Sequence, residues 1–485
     1  MATVLSARDR AAALTPRARQ LAFVTLTVAF VMDVLDGTIV NIAIPAIRSD
    51  LVADAVEVQW MVAGYAMAFA MLLVSGGRLG DVFGYRRMFM IGMAGFTLAS
   101  ASCGLASSST GLIVARLLQG AAAAVMGPQV LALVQILYRP FERVKALSLF
   151  GVLGGVTAVL GPIIGGALIE ADIGGTGWRA IFLINLPVGI AGIVAGWSLL
   201  PPGRSPDRLR VDWAGNAVMI ALVFALVFPL VEGRALGWPL WCIALLVAAV
   251  PLTLVLTAHL RRRSAAGRPA LVDPAMFADA SFTIGLVASI AFAAAGGSFL
   301  LVLTLVLQVG MALSPLAAGL VHVPFAVGVA MGISLLGRRV LPRLGRNVLV
   351  LGAGVMAAGI AGVMIVVAAQ GAPDAPGVIV PLCLALFVTG LGMGTIAGPL
   401  SPIALARMHV RHAGGAGGAL KTVQQLGNAV GTATIGTLFF IMSGGALAAG
   451  ATRAAMLPAG VAIIVPLLGV ALISRRLPAR LFDDA

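Results

Sequence analysis

The sequence is poor in the residue types on which most soluble chemistry depends. Of 485 residues, three are cysteine, three tyrosine, and four histidine. Cys103, Cys242 and Cys383 each lie in or beside an apolar run, without metal-ligand spacing, and read as small apolar fillers. Neither a disulfide framework nor a metal centre is expected. Charged residues make up 10% of the chain, far below what a soluble domain of this length carries. No P-loop, zincin helix or nucleophile elbow occurs. Gly392-Met393-Gly394 lies inside an apolar run and is a packing feature, not a nucleotide loop. An ATP-driven pump is therefore not expected, nor an enzyme, nor any cofactor. A membrane-embedded enzyme or sensor would need a nucleophile, a metal cluster or a signalling domain.

What is present is apolar. The chain is 60% hydrophobic with 60 glycines, and its mean hydropathy is +1.06. This is the composition of an all-α polytopic membrane protein, with small residues that let helices approach closely in lipid. The net charge of +14 does not point to nucleic acid, because the basic residues sit in short loops between apolar runs.

Fourteen runs are long enough to span a bilayer. They lie near 21–44, 57–77, 88–106, 110–136, 146–169, 180–200, 213–231, 238–258, 282–307, 315–336, 347–369, 377–400, 414–441 and 452–473. With the N-terminus inside, 26 of the 32 Lys and Arg fall in cytoplasmic segments. Only Arg48, Arg179, Arg234 and Arg453 fall outside, and Arg116 and Lys421 lie within spans. That alternation is the positive-inside pattern, and a wrong count would scramble it. Both termini are expected in the cytoplasm. Short basic turns follow the second span, at 77–87, and the tenth, at 336–346. They mark two repeated halves, the way many secondary transporters are built. The division expected is a tail at 1–20, a six-helix half at 21–200, two inserted helices at 201–260, a loop at 261–281, a second six-helix half at 282–473, and a tail at 474–485.

The most unusual run is Phe30 to Pro45, an apolar stretch with Asp33, Asp36 and Asn41 inside it. An intramembrane acid is expensive and marks function by default. Helical spacing puts Asp33, Asp36, Gly37, Val40, Asn41 and Ile44 on one stripe, facing protein or water. These acids are either hydrogen-bonded structural groups or a proton- or cation-binding pair. Arg116, deep in the fourth span, needs an acid or carbonyl partner.

These residues resemble the major facilitator superfamily, in its fourteen-helix drug:proton antiporter branch. Leu35-Asp36-Gly37-Thr38-Ile39-Val40-Asn41-Ile42-Ala43-Ile44-Pro45 looks like that branch's first-helix signature. The turn with Gly77, Asp81, Gly84, Arg86 and Arg87 resembles the superfamily's loop between helices 2 and 3. Arg116-Leu117-Leu118-Gln119-Gly120 is similar to the fourth-helix motif of proton-coupled members. Gly161-Pro162-Ile163-Ile164-Gly165-Gly166 resembles the antiporter motif, and Trp178 to Pro187 is typical of the branch. In the second half, Gln308, Ser314-Pro315, Gly319, Pro324 and Gln424-Gln425-Leu426-Gly427 also fit. Lys421 departs from the branch, which often carries a small amide there.

The resemblance implies a proton-coupled exporter of small hydrophobic or cationic compounds. It would work by alternating access as a monomer in the bacterial cytoplasmic membrane, with the proton gradient as driving force. The alternative on the same fold is a symporter importing a nutrient. Asp36 is implied as the essential acid, with Asp33 tuning specificity and Arg116 in proton coupling. The 77–87 turn is implied as a latch of the outward-facing state, and Gly161, Pro162, Gly165 and Gly166 as a hinge or seal. His322 is either a satisfied interior histidine or a proton relay. Lys421 either acts in the cavity or snorkels toward the cytoplasm. Gln59, Trp60, Tyr65, Gln129 and Gln135 are further cavity candidates.

Overall fold

The structure is a computed structural model. It describes residues 14–138, 140–202, 212–268, 271–336, 344–369, 377–405, 413–444 and 448–477. Much of the second basic turn, including Pro342, lies outside those residues, as do most of the terminal tails.

Fourteen long helices make up the described residues, with no strand among them. The first half holds α1 (Pro16–Leu51), α2 (Ala55–Phe83), α3 (Tyr85–Gly104), α4 (Ser109–Leu137), α5 (Pro140–Ala171) and α6 (Gly177–Leu199). The inserted pair is α7 (Trp213–Glu232) and α8 (Leu240–Ala265). The second half holds α9 (Ala280–Leu305), α10 (Pro315–Met331), α11 (Asn347–Ala368), α12 (Ile379–Leu405), α13 (Ala413–Met442) and α14 (Ala449–Ser474). Among the described residues twelve helices are long and apolar enough to cross a membrane. The other two are α3, which opens on Arg86 and Arg87, and α5, whose apolar stretch is described from Leu160 onward.

Local chemistry starts these helices where they start. Asp54 and Glu57 form a reciprocal capping box at α2, and Ser108 accepts from the Gly111 amide at α4. Ser314 caps α10 with Pro315 in the first turn. Each satisfies amide groups that lipid cannot.

Two boundaries differ from expectation. The 77–87 stretch is not a loop. α2 runs to Phe83 and α3 begins at Tyr85, so a single residue, Gly84, makes the turn. Its φ of 102° suits glycine, which has no Cβ to clash there. α8 continues to Ala265, so Arg261, Arg262 and Arg263 are helical and sit near its C-terminus, where cations favour the helix dipole.

We call the end of the bundle where α1 starts and α14 stops the base, and the other the far end. Within the halves, α2 and α3 pack on α4, α11 on α12, and α9 on α13. Between the halves, α2 lies along α13 and α5 along α10, and α7 fills the groove beside α2 and α13. One apolar cluster joins both halves at the far end, running from Ile39 and Ile44 of α1 to Leu305 of α9 and Val321 of α10. Toward the base the cores separate. Leu26, Phe69 and Phe89 belong to a cluster of the first half alone, while Phe282, Ala404 and Leu420 belong to another. The far end is closed.

Candidate functional site

The charges buried in the first half come together at one point. Arg116 of α4 is 2% exposed and Asp36 of α1 is 0% exposed, with the guanidinium 2.5 Å from the carboxylate. Three side-chain donors converge on Asp36. Arg116 gives to one oxygen, and Gln119 Nε2 (2.8 Å) and Asn185 Nδ2 (3.1 Å) give to the other. Arg116 also donates to Gln119 Oε1 at 2.7 Å and to the Met61 carbonyl at 3.1 Å. Helical spacing explains the grouping, since Arg116 and Gln119 stand three residues apart on one face of α4. α6 supplies Asn185, braced by Ser100 Oγ of α3 at 3.0 Å. A buried pair with this many bonds offsets its desolvation, whereas an incomplete one does not.

Asp33 sits one turn away and is half-buried. It does not pair with Asp36. Its Oδ1 accepts from the Tyr65 hydroxyl at 2.6 Å. The Tyr65 ring also lies 4.4 Å from the Arg116 guanidinium carbon, with Phe182 at 5.9 Å. Tyr65 therefore touches both ionic centres, through its hydroxyl and its face. The stripe expected on α1 divides at this level. Gly37 is exposed with open space around it. Asn41 is 6% exposed, bonds only to the Thr38 carbonyl at 3.4 Å, and does not join the Asp36 cluster.

The hydrogen bonds and ion pair described for the Gly77–Arg87 stretch fall within the first half. Asp81 lies 3.5 Å from Arg78 and accepts from Tyr85 at 2.9 Å. Gly80 packs against Gln129, whose amide bonds the Gly76 carbonyl at 2.7 Å. Gln129 is fully buried and braces the contact between α2 and α4. Arg86 bonds the Trp197 carbonyl and lies over its ring, and Arg87 is exposed. Gly77 lies against Pro128.

The glycines of α5 are contact surfaces. α5 stays helical through Pro162. A Cβ at Gly161 would fall 2.1 Å from Thr38 Oγ1, and one at Gly165 within 2.7 Å of Ile39 and Ile42. Across the halves, a Cβ on Gly166 would lie 2.4 Å from the Pro315 carbonyl oxygen. One on Gly319 would lie 2.6 Å from that of Pro162. The same end carries Gln308 Nε2 donating to the Ile42 carbonyl at 2.7 Å and Ser314 donating to Glu170 at 3.0 Å. Thr437 Oγ1 stands 3.0 Å from Gln59 Oε1, and Trp60 donates to Glu232 at 2.7 Å.

His322 is 1% exposed, its Nδ1 2.7 Å from the Ala318 carbonyl one turn back. It lies away from the Asp36 cluster in sequence and shares no bond with it. Lys421 is exposed, its Nζ 5.9 Å from the Phe69 ring centre across the seam between halves. Among the described residues no group of three or more His, Cys, Asp or Glu could hold a metal ion.

A second ionic node lies at the base, outside the spans. Asp212 caps α7 through the Gly215 amide (3.0 Å). It also meets His259 at 2.9 Å, Arg263 at 3.4 Å and the Leu271 amide at 3.3 Å. Burial pushes its carboxyl upward, but the Gly215 and His259 hydrogen bonds and the Arg263 charge outweigh that and hold it below the usual range. This node fastens the inserted pair to the connection that leads into α9.

Sequence reasoning makes Arg116 the charge partner of the first-span acids but leaves open whether it meets Asp33 or Asp36. It misses Gln119 and Asn185 as partners, although both sit inside stretches already singled out. It reads Tyr65 only as a lining residue.

Two six-helix halves, an inserted pair and a dry ion pair beside the seam define a polytopic secondary transporter rather than an enzyme. The chain belongs to the Major Facilitator Superfamily, whose profile matches residues 26–432. It is 41% identical over 428 residues to a probable actinorhodin transporter of Streptomyces coelicolor, covering 87% of this chain and 74% of that protein. To the puromycin resistance protein of Streptomyces alboniger it is 35% identical, covering 86% and 80%. To the tetracenomycin C resistance and export protein of Streptomyces glaucescens it is 34% identical, covering 85% and 74%. Its fold is similar to an auto-inhibited POT family peptide transporter, with a TM-score of 0.71 at 15% identity, covering 97% and 99%. It is also similar to a bacterial homologue of the human lysosomal transporter Spinster, at 0.67 and 16%, covering 97% and 100%.

Proposed function

We propose that this chain exports small toxic compounds from the bacterial cytoplasm in exchange for protons, by alternating access as a monomer. The observation that carries the reading is the Asp36–Arg116 contact at 2.5 Å, buried among Gln119, Asn185 and Tyr65. A carboxylate this dry holds its negative charge through Arg116. Asp36 is the acid through which proton exchange would pass, since a shift of α1 against α4 would part it from Arg116. Movement of α1 against α4 then converts a proton into a conformational bias. The names of the relatives, a resistance protein and an export protein among them, support export over nutrient uptake.

The positive-inside pattern of the basic residues supports a cytoplasmic base with both termini on that side. The closed far end is then the outer gate. A reporter fused after Ala485 that maps to the periplasm would refute this orientation. For coupling, the test is Asp36→Asn in everted vesicles. The variant, compared at equal amounts of folded protein, is expected to show no substrate-dependent proton movement. Antiport at the wild-type rate would refute the assignment.

A further inference from the structure

Four charged side chains lie inside the spans rather than at their edges: Asp33 and Asp36 of α1, Arg116 of α4 and Lys421 of α13. They divide into a closed pair and an open pair. Asp36 and Arg116 are buried against each other and offer no charge to a cargo. Asp33 is half-buried and Lys421 is exposed. Met32 beside Asp33 belongs to the core of the first half, and Leu420 beside Lys421 to another cluster, so the open pair stands where the cores have parted.

The two residues meet opposite ends of one pair of rings. Tyr65 and Phe69 stand one turn apart on α2, with ring centres 6.1 Å apart. The Tyr65 hydroxyl donates to Asp33 at 2.6 Å, and the Lys421 ammonium lies 5.9 Å from the Phe69 ring centre. Lys421 is the second-half cation whose charge reaches Asp33 across the seam. The side chains that continue these faces are neutral. Phe30, one turn before Asp33, stacks on Phe150 with ring centres 5.0 Å apart, and Gln425, one turn after Lys421, accepts from Asn428 at 3.0 Å.

This balance bears on what the opening between the halves can hold. An accessible acid with no counter-charge would concentrate cations around it, the more so between low-dielectric walls. With an ammonium on the facing helix the field of the acid is largely cancelled. A cation that approaches Asp33 must also approach Lys421, and that repulsion offsets what the carboxylate offers. An uncharged molecule meets neither effect and gains from the apolar rings. Discrimination between ligands rests on such a repulsive element as much as on attraction.

We infer that Lys421 is a specificity-determining residue: it neutralises Asp33 across the seam, so the opening takes uncharged lipophilic cargo and turns lipophilic cations away. The inference rests on the exporter reading and narrows its cargo.

The test uses methyltriphenylphosphonium and triphenylphosphine oxide, a cation and an uncharged molecule of nearly the same shape. Binding is measured by equilibrium dialysis on the full chain in detergent, against protein-free micelles. The wild type is expected to bind the oxide roughly tenfold tighter than the phosphonium. Lys421→Gln and Lys421→Met should each close or reverse that gap, and Lys421→Arg should keep it. Adding Asp33→Asn to Lys421→Gln should abolish the gain for the phosphonium, because Asp33 is the acid that Lys421 covers. A wild type without the preference for the oxide overturns the inference. So does an unchanged gap in both Lys421→Gln and Lys421→Met, and so does a gain that survives Asp33→Asn. Proton movement driven by the two probes in everted vesicles reads the exporter proposal separately. A gap that Lys421→Gln closes, with no probe-driven proton movement in either protein, overturns that proposal and leaves charge selection by Lys421 in place. Proton movement driven equally by both probes in the wild type overturns only the role of Lys421.

Discussion

Removing the Arg116 charge should be among the most damaging single changes in the first half, and removing Asp36 as well should cost nothing further. In Arg116→Met, Asp36 stays fully buried but keeps only the two neutral donors of Gln119 and Asn185. Breaking a buried pair from one side costs about 3–5 kcal/mol. The upper half of that range is expected, because Gln119 Oε1 keeps only the weak Cys103 thiol donor, the Met61 carbonyl loses the Arg116 bond and Tyr65 loses the cation on its face. Asp36→Asn should cost nearer the lower bound, about 3 kcal/mol, since Arg116 keeps two neutral acceptors. The double variant removes both charges. It should be no less stable than the Arg116→Met single, so the cycle should return a coupling of about 3 kcal/mol. The assay is an SDS titration of micellar protein followed by tryptophan fluorescence. Free energies for the two singles that add to the double within about 0.5 kcal/mol would refute the idea that these residues stabilise the fold as a pair.

Tyr65→Phe keeps the ring over Arg116 and deletes the 2.6 Å bond to Asp33. Stability should fall by only about 1 kcal/mol, while the pH profile of transport shifts; an unmoved profile would reduce Tyr65 to a space-filler. Gly166→Leu puts a side chain where the Pro315 carbonyl stands, so the far end should fail to close. Maleimide labelling of a cysteine introduced at Ile42, now 0% exposed, should rise sharply from that side, and unchanged labelling would refute the seal. For Asp212 the folded pKa is depressed, so its stabilisation is present above the unfolded value of about 3.9 and is lost as pH falls below it. Hydrogen exchange of residues 212–216 and 259–268 should therefore accelerate below about pH 4 in the wild type, and Asp212→Asn should already be fast at pH 7.

The span count is legible in the sequence because lipid imposes one length and one polarity on every crossing. The ends of the spans are less so. α1 begins at Pro16 and α2 ends at Phe83, since helices run past the apolar zone and composition records only that zone. Asp36 and Arg116 stand out because each is expensive alone. Gln119 and Asn185 do not, because a neutral amide in an apolar helix carries no comparable penalty and only the fold reveals what it bonds. The division of labour between Asp33 and Asp36 is likewise hidden. Helical spacing puts them one turn apart, but Tyr65 of another helix sends them to different partners. Asn41 shows the reverse error, for it shares the stripe yet lies beyond the level at which the halves part.

The α5–α10 seam at the far end, where Gly166 and Gly319 lie against the main chain opposite, is a joint with almost no moving parts. At the glycine contacts such a closure has no rotamers to freeze, and the ion beside it, Glu170, stays exposed while it accepts from Ser314. It behaves as a fitted lid rather than a bolt. It can part and reseat at little more than the expense of wetting a narrow strip of backbone. Speed of cycling is what such a lid favours, and leakage is limited by shape alone, so a single methyl group in the wrong place would hold it ajar.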